Sequence, residues 1–501
     1  MRLSAVFPAF SRWLSPLVLA LFLPGCNSQS APQTSTAATL PFAGKHATLA
    51  VPAGTGLNEL WLAPVQEWGT QTGGEAQIVE YDRASVADLT RAVSTGDAPA
   101  AAIVSTELLG DALLTLSISQ IPDAALSAES GVGWNDQLQG VRDRIGAPRR
   151  KPILLPLSAP LLVCYFRSDL LKKANGKAPR TWDDYTALVE QLPQWAPGLT
   201  AVEPWSESFR ATMFLARAVS HARHPDNYSV FVDLDSLAPL IDNPAYLRAL
   251  EQSQAAVSRM PKDVWTLNPL DCRRLVLEGQ AALAIGFEPA GGGNRADSPD
   301  WTANRAPEVE IGVCALPGVL ETFNSARQKW DPLASRGGVA RSSRSTLTAF
   351  DGFVAVSFGK PGGESGDAGW NAFASVAGPD FFSRFPAGMT GLTRESQLSN
   401  PTRYIGPELN GSEANDYLAV AAEALREPSL VFELPFPQRA AFRKALAGPL
   451  TEAMQGTTGR EEAMRRVSAD WTALIEVIGR DDFRRAYRQI LGLGAKPDSG
   501  K

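Results

Sequence analysis

Three short apolar runs open the body of the chain: His46 to Val51, Gln77 to Tyr81 and Ala100 to Val104. A helix-length stretch separates each from the next. The first connection begins Gly54-Thr55-Gly56 and continues from Leu57 to Thr70. The second, Ser85 to Ser94, repeats Val86, Leu89, Ala92 and Val93 on one helical face. Strand, helix, strand, helix, strand predicts a parallel sheet flanked by helices. Such sheets take ligands at the carboxyl ends of their strands, which singles out the loops after Val51 and Val104.

Helix starts are legible further on. Thr181 with Asp184 predicts a cap, and Trp182, Tyr185, Leu188, Val189 and Leu192 form the buried stripe behind it. Thr458 with Glu461 predicts the start of a C-terminal helix carrying Met464, Val467, Trp471, Leu474, Ile475 and Ile478. Segments 291–306 and 328–345 read as long exposed loops. The 501 residues suffice for two or three units at about 100–200 residues each. A net charge of −6 argues against nucleic acid or an anionic lipid surface as a general partner.

The chain has only three His and four Cys. His221 and His224 stand three apart near a helix end, where the dipole gives cations a use, and no third ligand supports a metal. The pattern Val232-Asp233-Leu234-Asp235 reads as a solvated strand edge. No nucleophile elbow, zinc, phosphate-loop or dinucleotide motif occurs. No metal or cofactor is expected.

The N-terminus combines Arg2 and Arg12 with an apolar stretch, Trp13 to Leu23, that is too short to span a bilayer. It ends in Leu23-Pro24-Gly25-Cys26, which resembles the lipobox of bacterial lipoproteins. The resemblance implies a signal peptide over 1–25, lipid on Cys26, and a flexible polar tether over 26–40. Cys164, Cys272 and Cys314 remain. Cys164 and Cys314 read as buried strand positions, and whether any two are bridged stays open.

Six segments, in order over residues 45–480, resemble the extracellular solute-binding proteins of ABC importers, in their sugar-binding branch. Pro156 to Leu171 is similar to the stretch that crosses between lobes and runs into "YYNKDLL". Ala178-Pro179-Arg180-Thr181-Trp182-Asp183-Asp184 is similar to the "P-x-TWDE" helix start. Leu277 to Gly286, Ile311 to Gly318, Gly352 to Ser357 with Trp370 to Phe373, and Arg443 to Trp471 complete the series. The resemblance implies an α/β, two-lobed periplasmic-binding-protein-like type II fold, each lobe a mainly parallel sheet flanked by helices, with a hinge between. The implied first lobe is 41–158 plus 353–395. The second is 159–352 plus 396–490, and 491–501 is a disordered tail.

The same resemblance implies a monomeric, non-enzymatic carrier that delivers a carbohydrate or related polar solute to an ABC permease, anchored to a bacterial membrane by its lipid. Sugar sites combine aromatic faces with hydroxyl-binding polar groups. By position, the candidates are Trp61 after the first loop, and Ser105 and Thr106 after the third strand. Glu203 and Trp205 lie in a Glu-Pro-aromatic step similar to that of maltose-type proteins. Phe287 and Glu288 follow a family segment, Asp351 sits at the second crossover, and Arg443 lies on a late helix. Two other readings stand beside the carrier. A polysaccharide-active enzyme needs two carboxylates about 5–10 Å apart in the cleft. A binding-protein fold used as a sensor needs no permease.

Overall fold

The computed structural model describes residues 40–94, 100–130, 132–147, 151–288, 304–333, 346–348, 352–358, 364–377 and 391–493. Cys26 and Asp351 lie outside them, as do most of the two segments expected to be long loops. Thirteen strands are present among the described residues: β1 (His46–Pro52), β2 (Glu75–Tyr81), β3 (Ala100–Ser105), β4 (Leu155–Ser158), β5 (Val163–Arg167), β6 (Thr200–Val202), β7 (Ala281–Gly286), β8 (Ile311–Ala315), β9 (Glu321–Asn324), β10 (Lys329–Pro332), β11 (Leu347–Thr348), β12 (Phe353–Ser357) and β13 (Val431–Phe432).

The first sheet has the order β2-β1-β3-β12-β4 and the second β6-β7-β5-β8. β1, β2 and β3 pair in parallel, as the alternation of strand and helix requires. β12, from far along the chain, inserts antiparallel between β3 and β4. In the second sheet only β6 and β7 are parallel, and β5 runs antiparallel to both β7 and β8. This sheet departs from the mainly parallel one expected. β5 enters directly from the first lobe and runs away from the hinge, whereas its partners run back toward it.

Register fixes which ends face the hinge. Val163, at the start of β5, is level with Gly286 and Ala315 at the ends of β7 and β8. Phe353, at the start of β12, is level with Ser105 and Ser158 at the ends of β3 and β4. The carboxyl ends of both sheets therefore converge on the junction between the lobes. Hydrogen bonds fasten that junction: Thr106 N to Gly352 O (2.8 Å), Gly352 N to Thr106 Oγ1 (3.1 Å), Phe353 N to Ser158 Oγ (3.0 Å) and Thr348 Oγ1 to Pro160 O (2.9 Å). β11 and β13 pair in parallel beside them.

Two apolar clusters fill the body. One packs the helices Leu57–Thr72 and Glu364–Val376 on a single face of the first sheet, around Trp61, Trp68, Trp370 and Phe373. The other runs from the opposite face, at Tyr81, Val104 and Leu109, through the whole second lobe. The Thr181 cap forms with Asp184 as expected, its two hydrogen bonds being 3.1 and 2.9 Å. The late helix instead begins at Arg460 behind Gly459, and Thr458 Oγ1 donates to Glu452 Oε2 at 3.0 Å rather than capping it. Asp233 to Ser236 form a tight turn in which Asp233 accepts from Ser236 N at 2.8 Å, and of the expected strand edge only an isolated antiparallel bridge from Val232 to Pro239 remains. Cys164 and Cys314 are free thiols directly opposed on β5 and β8, and Cys272 is buried on the helix Pro269–Leu277.

Candidate functional site

β6 and β7 run toward the junction, so the residues just after them lie close to it. Glu203 follows β6 and is fully buried. Its Oε1 accepts from Arg217 Nη2 at 2.7 Å and its Oε2 from Trp205 Nε1 at 3.0 Å. Arg217 is itself buried, donates to Ser253 Oγ at 2.6 Å and stacks over Trp182 at 4.2 Å. Glu203 and Trp205 are thus committed to each other and to the second-lobe core. Glu288, after β7, is equally enclosed, accepting from Tyr165 Oη (2.9 Å) and twice from Arg273 (2.6 and 2.8 Å). Burial and the Glu288 charge push the Tyr165 hydroxyl pKa well up.

More accessible groups flank this buried layer. Phe209, Arg210, Trp265 and Arg443 are half-buried. Trp265 rests 6.2 Å from Trp205 with the Arg210 guanidinium 5.9 Å above its ring, and Phe209 lies 6.3 Å from Phe287. Arg210 belongs to the helix Arg210–Ala222 and reaches Thr451, on the helix Arg439–Met454, at 2.6 Å.

Between the same two helices sits a charged cluster. Glu433, fully buried after β13, accepts from Thr212 Oγ1 (2.8 Å), from Arg443 Nη2 (2.9 Å) and Nε (3.2 Å), and from Arg439. Burial would raise the Glu433 carboxyl pKa, but the guanidiniums of Arg443 and Arg439 outweigh it and hold it low. Glu107, just past β3 on the first lobe, adds to the field on Arg439.

On the first lobe Ser105 and Thr106 are buried, Ser105 bonding within its own loop and Thr106 to the segment that enters β12. Ser105 Oγ accepts from Glu107 N at 3.2 Å, while Thr106 Oγ1 accepts from Gly352 N. Trp61 is 1% exposed, sits edge-on to Phe373 at 5.7 Å, and joins the helix-covered core of the first sheet instead of the junction. The structure therefore gathers Ser105, Thr106, Glu203, Trp205, Phe287, Glu288 and Arg443 at the facing strand ends and places Trp61 elsewhere. The residues missed in sequence are Phe209, Arg210, Trp265 and Glu433. Glu433 had a readable signal, a lone acid inside the apolar run Val431-Phe432-Glu433-Leu434. A buried acid in such a run needs cationic partners.

The model of the bacterial extracellular solute-binding protein family matches residues 54–321, more than half of the chain. The chain belongs to this family, whose members are binding proteins and not enzymes. Solved structures share the two-lobed α/β fold. The sugar-binding protein MalE from Xanthomonas citri matches at 16% identity over 86% of this chain and 99% of its own, with a TM-score of 0.59. Maltose-bound MalE3 of T. maritima matches at 16% identity over 86% and 99%, with a TM-score of 0.55. A solute-binding protein of an ABC transporter from Agrobacterium radiobacter K84, in complex with ribitol, matches at 14% identity over 87% and 100%, with a TM-score of 0.56. No curated protein matches the sequence.

Proposed function

We propose that this chain is the solute-binding component of an ABC importer, taking a neutral sugar or polyol between its lobes and presenting it to a membrane permease. The observation that carries the reading is the set of half-buried groups at the junction: Phe209 and Trp265 as ring faces, Arg210 and Arg443 as hydroxyl donors. Aromatic faces and planar donors suit sugar rings. Behind them, Glu203, Trp205, Phe287 and Glu288 hold the layer in place, with Ser105 and Thr106 on the facing side; Asp351, outside the described residues, is kept as a candidate from the family resemblance alone. The solute bridges both lobes and so stabilises the closed state over the open one. The lobes divide at 158/159, 352/353 and 395/396. Cys26 carries the lipid that tethers the body to the outer side of a bacterial membrane, with the protein acting as a monomer.

A thermal-shift screen of the purified chain against sugars, polyols, amino acids and peptides tests this. A ligand present at 100 times its Kd adds about 2.7 kcal/mol of stability. A response confined to sugars or polyols, weakened by Trp265→Ala, supports the reading, and silence across every sugar and polyol overturns it. For the anchor, Cys26→Ala is expected to move the protein from the membrane fraction to the soluble one.

A further inference from the structure

A cavity of about 660 Å³ opens between the lobes, away from the site described above. One wall comes from segment 134–147 and Pro152 of the first lobe, the others from segments 223–231, 428–435 and 487–492 of the second. No residue that ends β1 or β3 lines it, and neither do Glu203, Trp205, Trp265, Phe287, Glu288 or Arg443. Its volume falls in the range of small-molecule sites, about 300–1,000 Å³.

The lining joins an apolar interior to a positive rim. Phe231, Phe432 and Ile490 are buried apolar surfaces there, and the hydroxyls of Ser229 and Tyr487 hydrogen-bond to each other between them. At the rim stand three arginines and one acid. Arg142 Nε is paired with that acid, Asp143, at 3.2 Å. Arg144 Nε donates to Pro428 O at 2.7 Å, and Arg223 Nη1 donates to Asn227 O (2.6 Å) and His224 O (3.3 Å). Among the described residues, then, these two guanidiniums have carbonyl partners only. Burial first, and then the nearby charge of Arg144, pull the Arg223 pKa down, against a smaller upward pull from Tyr487. Two like charges on one cavity cost free energy that an anion between them removes.

We propose that this cavity binds a small organic anion, a carboxylate or phosphate group on an apolar or aromatic body, with Arg144 and Arg223 as the counter-charges. Guanidinium forks suit both head groups, which accept two parallel hydrogen bonds. The apolar interior takes the body of the ligand. Arg144 belongs to the first lobe and Arg223 to the second, so the bound anion links the lobes at a second place. Its binding is coupled to lobe opening, and hence to solute affinity in the main site.

Calorimetric titration of the purified exported chain with phenyl phosphate, benzoate and inorganic phosphate, with benzyl alcohol as the neutral control, tests the site. Saturable binding of phenyl phosphate or benzoate is expected, and which of the two binds assigns the head group. Arg144→Gln, an exposed position whose change leaves the fold intact, is expected to weaken it at least tenfold. Arg223→Lys, which keeps the charge and loses the fork, weakens it less than Arg223→Gln. Absence of saturable binding by all three anions overturns the proposal. So does benzyl alcohol binding as tightly as the anions, or binding unchanged in Arg144→Gln. The titration reads this cavity whether or not any sugar binds the chain, so failure of the importer reading stays distinguishable.

Discussion

Glu203 was expected to touch the solute, whereas the structure gives both of its oxygens to Arg217 and Trp205, and the two roles separate by experiment. Glu203→Gln keeps the shape and one acceptor for Trp205 but removes the charge, leaving Arg217 as a buried cation with Ser253 and the Trp182 ring as neighbours. Arg217 is 1% exposed, so water cannot compensate. Breaking one side of a buried, hydrogen-bonded ion pair costs about 3–5 kcal/mol. Arg217→Met strands the carboxylate and is expected to cost a similar amount. The double variant Glu203→Gln/Arg217→Met leaves neither charge unpaired. Its destabilisation is therefore expected to fall short of the sum of the singles by about 2 kcal/mol or more. Urea unfolding followed by circular dichroism reads all three. Single variants that each lose less than about 1 kcal/mol would refute the buried-pair argument. A selective loss of solute affinity in that case would return Glu203 to the ligand.

Three further outcomes are expected. His221 is buried against Gln252 and the Trp330 ring, with Arg248, Arg217 and Asp183 around it, and burial lowers its pKa to about 4. The unfolded chain therefore takes up the proton first, so stability falls as pH drops from 6.5 toward 4. About 2 kcal/mol is lost by pH 5, a loss that His221→Gln removes in urea midpoints at pH 7 and 5. A Cβ on Gly110 would lie 2.2 Å from the Phe436 carbonyl oxygen, where the helix Leu109–Thr115 meets the second lobe. Gly110→Ala is thus expected to cost about 1–3 kcal/mol and enlarge the radius of gyration in small-angle scattering, and an unchanged profile contradicts the contact. With Cys164 and Cys314 directly opposed, oxidised glutathione is expected to reduce the thiol count of the Cys26→Ala chain from three to one. Three surviving thiols by mass spectrometry would show the strands hold the sulfurs apart.

Local rules carried much of the fold. The apolar periods of β1 to β3 and the Thr181–Asp184 cap each depend on neighbours within a few residues, and both were legible, whereas the crossover before β5 came only from the family resemblance. The second sheet was less so, because the direction of β7 and β8 against β5 is decided by where the chain re-enters and not by any strand's own pattern. The side-chain partners at the proposed site were the least legible part. Strand ends can be read from sequence, but Glu203 meets Arg217 fourteen positions later, and no spacing rule marks Arg217 as its partner. Trp61 was ambiguous for a similar reason, since its helix offers one apolar face that a core and a cleft would both use. Trp265 and Arg210 carry no motif and come together only through tertiary packing.

The insertion of β12 between β3 and β4 has a consequence for how the molecule is made. A chain synthesised from its N-terminus delivers β4 long before Phe353 arrives, and until then β3 and β4 lack the strand that lies between them. Both present unpaired edges throughout, with the entire second-sheet segment emerging in the interval. Long-range strand pairing is slow and leaves such edges open to aggregation. The first lobe is therefore completed late. A chaperone that holds the early strands apart until Phe353 arrives is expected to raise the yield of native protein.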